Sequence, residues 1–236
     1  MRRCNLSMVC TLLLLLVMGC DEGKIYPDET IDSGRTAKLT VTFNDLEAWP
    51  KKNTLSVCEF GEDRTKALLS RRITKPTSEG KQLTIQLTNI KADTKTIEIV
   101  VLNRGLELIY SYYSYPVDDS GENIEFAVGE LDLGSFDRVQ AQVFDQNCIA
   151  CHGGSSSGLS GNLDLREENA YKSLVNVEAP LSEEGKNYVT PGDIHNSYLL
   201  DVLEDDPIHQ DMFNSTGKQE VLGLIRGWIQ GGALDN

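Results

Sequence analysis

"NIEFAVGELDLGSFDRVQAQVFDQNCIACHGG", residues 123–154, changes its hydrophobic period midway. Ile124, Phe126 and Val128 alternate with their neighbours, the period of two that a half-buried strand requires. From Phe136 the apolar positions are Phe136, Val139, Val143 and Phe144, which form one stripe of a helix. A strand-rich part and a helical part therefore meet between residues 131 and 136.

Upstream, the same alternation recurs in "KLTVTF" (38–43), "QLTIQL" (82–87), "TIEIVVL" (96–102) and "LELIYSYYSY" (106–115), with weaker runs near Leu55 and Leu68. Together these make about seven turn-separated strands, which predicts an all-β, antiparallel, immunoglobulin-like sandwich over residues 37–131. The Cys…Trp…Cys signature of true immunoglobulin domains is missing, since only Trp49 and Cys58 are candidates. A lone cysteine within "LSVCEF" reads as a buried apolar filler. Tyr110, Tyr112, Tyr113 and Tyr115 form either an exposed binding face or the aromatic content that half-buried strands favour.

Downstream, the helical stripe runs into Cys148 and Cys151, which are three positions apart and so emerge from one face of the helix end. His152 follows at once, and Gly153 and Gly154 end the helix. A dithiol redox pair, half of a zinc site and a covalent haem attachment all begin with such a pair of cysteines. The redox motif needs a surrounding alternation of strands and helices, and zinc needs a second closely spaced ligand pair. The chain offers neither, and its histidines are His152, His195 and His209 alone. CxxCH is the attachment motif of c-type haem: two thioethers from Cys148 and Cys151, and the His152 imidazole on the iron.

The final apolar stripe, Val221, Leu224, Ile225, Trp228 and Ile229, predicts a helix capped by Thr216 and Gln219 and ended by Gly231 and Gly232. "FDQNCIACHGG", "GNLDL", "AYKSLVN", "VTPGDIHNSYLLDVL" and "LIRGWIQGGA" follow one another in order. In this, residues 136–236 resemble class I cytochromes c, and more closely the small bacterial cytochrome c domains that follow a strand-rich module in lipoproteins. The resemblance implies a multidomain chain whose C-terminal domain is all-α, with Phe144 on the first helix crossed by Trp228 on the last. It implies Met212 as the distal iron ligand and the Pro191 carbonyl as a partner for the outer nitrogen of His152. With both axial places filled, it implies electron transfer rather than catalysis. Met212 is followed by Phe213 where the family has proline. His195 stands where the family is more often polar or acidic. His195 is read as a surface residue and His209 as a bystander.

At the other end, Arg2 and Arg3 precede "MVCTLLLLLVM" (8–18), which is shorter than the roughly 20 residues a spanning helix needs and reads as a secretory signal over residues 1–19. "VMGC" (17–20) resembles a bacterial lipobox, which implies acylation of Cys20 and a polar tether over residues 20–36. The expected location is the bacterial cell envelope, anchored to a membrane by lipid. In that oxidising compartment Cys58, Cys148 and Cys151 make a poor disulfide framework, and Met212 is the sole methionine after processing.

The formal net charge is −14, with 16 acidic against 6 basic residues from Phe136 onward. This disfavours nucleic acid and suits a redox protein partner with a basic docking face. The expectation is a monohaem electron carrier. Its rivals are a haem sensor or enzyme component with an open distal site, and a binding lipoprotein whose sandwich recognises a glycan or protein.

Overall fold

The computed structural model describes residues 34–154, 163–209, 213 and 215–236. The residues expected to form a signal and anchor, Cys20 included, lie outside that set, as does Met212.

All seven anticipated strands form: β1 (Ala37–Asn44), β2 (Thr54–Phe60), β3 (Leu69–Arg72), β4 (Gln82–Leu87), β5 (Thr96–Leu102), β6 (Leu108–Pro116) and β7 (Ile124–Asp132). They make a three-stranded sheet, β4-β1-β7, and a four-stranded sheet, β3-β2-β5-β6. Inward residues such as Leu39, Ile85, Val57 and Ile99 from the two sheets share one core. The connectivity is not immunoglobulin-like. In that fold the first strand pairs with the second, whereas here β1 pairs antiparallel with β4 and parallel with β7. A bulge opposite Thr40 and Val41 shifts the β1–β7 register, and Gly129 supplies a positive φ there. Cys58 is buried on the outer face of the larger sheet with Phe60, Val100 and Leu102, as a filler should be.

Helices follow at α1 (Phe136–Val139), a π-helical stretch (Gln140–Cys148), α2 (Ile149–His152), α3 (Glu167–Leu174), α4 (Tyr198–Asp205) and α5 (Ser215–Gln230). The expected multidomain arrangement, a sandwich joined to an all-α class I cytochrome c domain, is not what the chain adopts. The helices are short, and between α3 and α4 the chain runs through isolated bridges such as Val175↔Val189 and Asn187↔Ser197. Pro180 and Pro191 interrupt that stretch, and neither can donate a backbone hydrogen bond to a helix.

The second reason is packing. From Gly34 to Asn236 the chain forms one compact unit with a continuous core. The sandwich occupies part of the face that α5 would turn to other helices. A Cβ at Gly227 would lie 2.8 Å from the Cβ of Ala48, and one at Gly223 would lie 2.9 Å from the carbonyl oxygen of Glu47. These glycines let the 3₁₀ turn Leu46–Ala48 rest directly on the helix backbone. Farther along, the Glu220 carboxylate accepts the backbone N–H groups of Lys51 and Asn53, each at 3.1 Å. Because α5 begins at Ser215, Thr216 lies inside the helix and is not its cap.

Candidate functional site

The CxxCH segment is aimed by a helix that changes type just before it. Phe136, Val139, Val143 and Phe144 are all buried, as the stripe requires. Trp228 meets Phe136 at 5.1 Å between ring centres, and Phe136 in turn meets Phe144 at 6.3 Å. The Phe144–Trp228 crossing implied by the resemblance is thus bridged by Phe136.

Between Gln140 and Cys148 the helix widens to π geometry, which in helices often accompanies function. Side-chain amides serve the loosened backbone: Gln146 Nε2 donates to the Ala141 carbonyl at 3.0 Å and Asn147 Nδ2 to that of Val143 at 3.1 Å. Gln140 Nε2 bridges Asp145 at 2.6 Å and the Leu165 carbonyl at 2.9 Å. Nothing in the apolar stripe signalled this change, because it depends on where polar amides find partners.

The helix ends at His152. A Cβ at Gly153 would lie 2.3 Å from the carbonyl oxygen of Ile149, so glycine is required there. The Leu165 N–H then donates to the His152 carbonyl at 2.8 Å, which fixes the residue from outside the helix. Cys148 and Cys151 are free thiols, the first half-buried and the second exposed. Burial, with a smaller contribution from Cys151, pushes the Cys148 thiol up to about 12. Redox-active cysteines are shifted the other way, towards the thiolate.

Cys148, His152 and Phe144 form one wall of a cavity of about 120 Å³. Leu163 and Leu165 close one side, Tyr188, Leu199 and Leu203 line another, and Asp206 with His209 complete the wall. Apart from the sulfur and the imidazoles the lining is largely apolar. The His152 and His209 ring centres are 6.2 Å apart and their planes lie within 28° of parallel. His209 Nδ1 is 2.8 Å from Asp206 Oδ1, and this hydrogen bond first of all holds the Asp206 carboxyl below its ordinary range. His209, read from the sequence as a bystander, thus stands beside His152 in the cavity wall. The signal that could have found it is the local pair Asp206…His209, an acid and a histidine three residues apart.

His195 is exposed in the turn before α4, its N–H bonded to Asp193 Oδ1 at 3.0 Å. Pro191 does not line the cavity; its turn is held to the last helix through the Gly192 N–H, 2.7 Å from the Ile229 carbonyl. A larger groove of about 750 Å³ runs past Gln142, Gln146 and Asn147 of the π-helical stretch, between Arg104, Lys52 and Glu220. The tyrosines of β6 do not form a free face. Tyr112 is half-buried with its hydroxyl on the Leu133 carbonyl at 2.9 Å, and Tyr115 stacks on Phe126 at 4.1 Å between ring centres.

Among the described residues no three or more His, Cys, Asp or Glu side chains gather as a metal site, and no helix is long and apolar enough to cross a membrane. Comparison of the chain with family models, with curated proteins and with solved structures finds no match.

Proposed function

We propose that the chain is an exported, lipid-anchored electron carrier with one c-type haem attached through Cys148 and Cys151. The observation that carries this reading is the placement of two free thiols on one helix end, with Cys148 and His152 set against a largely apolar cavity. The donor set fits the group. A porphyrin brings four nitrogens of its own, so the protein needs to supply only one or two ligands, unlike a zinc site with its three or four.

Each thiol adds across a vinyl group: the sulfur bonds one carbon, the thiol hydrogen passes to the other, and the double bond becomes single with no net oxidation. When bound, the group supplies a reversible one-electron change at iron. The chain's own residues do the rest. His152 binds the metal, and Pro191 is the proposed partner for its outer nitrogen. Phe144, Leu165, Leu199 and Leu203 exclude water, which disfavours the more highly charged oxidised state and raises the potential. The acidic surface of the C-terminal half attracts a basic redox partner, and acylated Cys20 holds the protein at a membrane of the cell envelope. No enzymatic step is assigned to it.

The test is attachment. Produced in a host with cytochrome c maturation, the denatured chain should retain the haem mass and absorbance, and Cys148→Ala with Cys151→Ala should abolish both. Haem that extracts into acidic solvent from the unmutated protein would overturn the reading.

A further inference from the structure

We propose that His209 is the second protein ligand of the iron, opposite His152, and that Asp206 holds it in place; this rests on the haem reading above. A metal–imidazole bond is about 2 Å long and a ring nitrogen sits about 1 Å from its ring centre, so two imidazoles on opposite sides of one metal have centres about 6 Å apart. The His152 and His209 rings stand 6.2 Å apart in the walls of one cavity.

The second observation concerns which nitrogen is available. Asp206 Oδ1 lies 2.8 Å from His209 Nδ1. A carboxylate there takes the Nδ1 proton as a hydrogen bond, leaving the lone pair on Nε2. Histidine ligands are commonly oriented and made more basic in this way. The backbone supports the pair: the His209 N–H bonds the Asp206 carbonyl at 3.1 Å, and the Ile208 N–H bonds Asp206 Oδ1 at 2.9 Å. The short turn therefore presents the imidazole as a unit. The family resemblance points instead to Met212, three residues farther on. Replacing a thioether with an imidazole removes the preference for ferrous iron, so the potential falls below that of a His/Met site.

The experiment is ligand spectroscopy on the full-length protein matured with its haem. In the ferric state, near-infrared magnetic circular dichroism and electron paramagnetic resonance should report two imidazoles. The iron–sulfur band should be absent, and Met212→Ala should leave the spectra unchanged. His209→Ala should lose the low-spin bis-imidazole signal, bind carbon monoxide when reduced, and recover the signal on addition of free imidazole. An iron–sulfur band in the unmutated protein that vanishes in Met212→Ala overturns the proposal, as does an unchanged spectrum in His209→Ala. Should His209→Ala not fold, the spectrum of the unmutated protein still decides between sulfur and nitrogen. A chain without covalent haem defeats the electron-carrier reading itself, at the earlier denaturation step.

Discussion

Arg138, in the first turn of the helix that leads to Cys148, donates through Nη1 to the hydroxyl of Tyr112 on β6 at 2.6 Å, and the same nitrogen reaches the carbonyls of Ala48 at 2.7 Å and Leu133 at 3.0 Å. Its guanidinium also lies over the Tyr112 ring, 5.7 Å from the centre. One fully buried arginine thus ties the 3₁₀ turn, strand β6 and the connection after β7 to the helix that carries the cysteines. Tyr112 passes the link on, donating to the Leu133 carbonyl at 2.9 Å.

Arg138→Met should therefore destabilise the whole unit rather than one half of it. Removing the guanidinium leaves the Ala48 carbonyl without its side-chain donor and the Leu133 carbonyl with Tyr112 alone, at a cost of about 3 kcal/mol. Urea unfolding followed by both tryptophan fluorescence and far-ultraviolet dichroism should show one transition, displaced to lower denaturant. Two separated transitions would contradict the single shared core.

Gly227→Ala tests the contact between α5 and the sandwich. In an exposed helix this change would gain about 1 kcal/mol. Here the new methyl would stand 2.8 Å from Ala48 Cβ and 3.0 Å from its backbone nitrogen. The expected net outcome is a loss of about 2 kcal/mol from overpacking. Adding Ala48→Gly should restore part of it, which a thermal melt of the double variant would reveal.

Asp45 makes stability depend on pH. Burial first, then the charges of Asp132 and Glu79, raise its carboxyl to about 6, against an opposing hydrogen bond from the Gly134 backbone. The ordinary value, which the unfolded chain takes, is about 4. The folded state holds the proton more tightly, so Asp45 favours folding most below pH about 4 and that advantage is lost as pH rises to about 6. Asp45→Asn keeps an acceptor for Gly134, and asparagine tolerates the left-handed backbone at φ 55. The variant should melt about 3 °C higher than the unmutated protein at pH 7 and at nearly the same temperature at pH 4.

How much of this was legible in the chain follows from the range of each interaction. Alternation in "QLTIQL" and "TIEIVVL" marks β4 and β5 to the residue, because which side chains face the core is settled by neighbours two apart. The stripes of Phe136, Val139, Val143 and Phe144, and of Leu224, Ile225, Trp228 and Ile229, are buried for the same local reason. The spacing of Cys148, Cys151 and His152 is likewise a local property, since one helical turn sets it.

Tertiary structure alone decided the rest. The parallel pairing of β1 with β7 joins residues 87 positions apart, as at Leu39 and Phe126, and no local pattern encodes a partner so distant. Gly223 and Gly227 would only weaken an isolated helix; what requires them is the turn at Glu47 and Ala48 that lands on them. Gln146 and Asn147 belong to no periodic pattern, yet their amides serve the carbonyls of the π-helical stretch. The expectation of a self-contained helical domain failed on the same ground: a helix stripe specifies that a face must be buried, but not that a β-sandwich will bury part of it. His209 gained its meaning from the fold as well, because a histidine 57 positions beyond His152 becomes its neighbour only when the turn after α4 sets it in the same cavity wall.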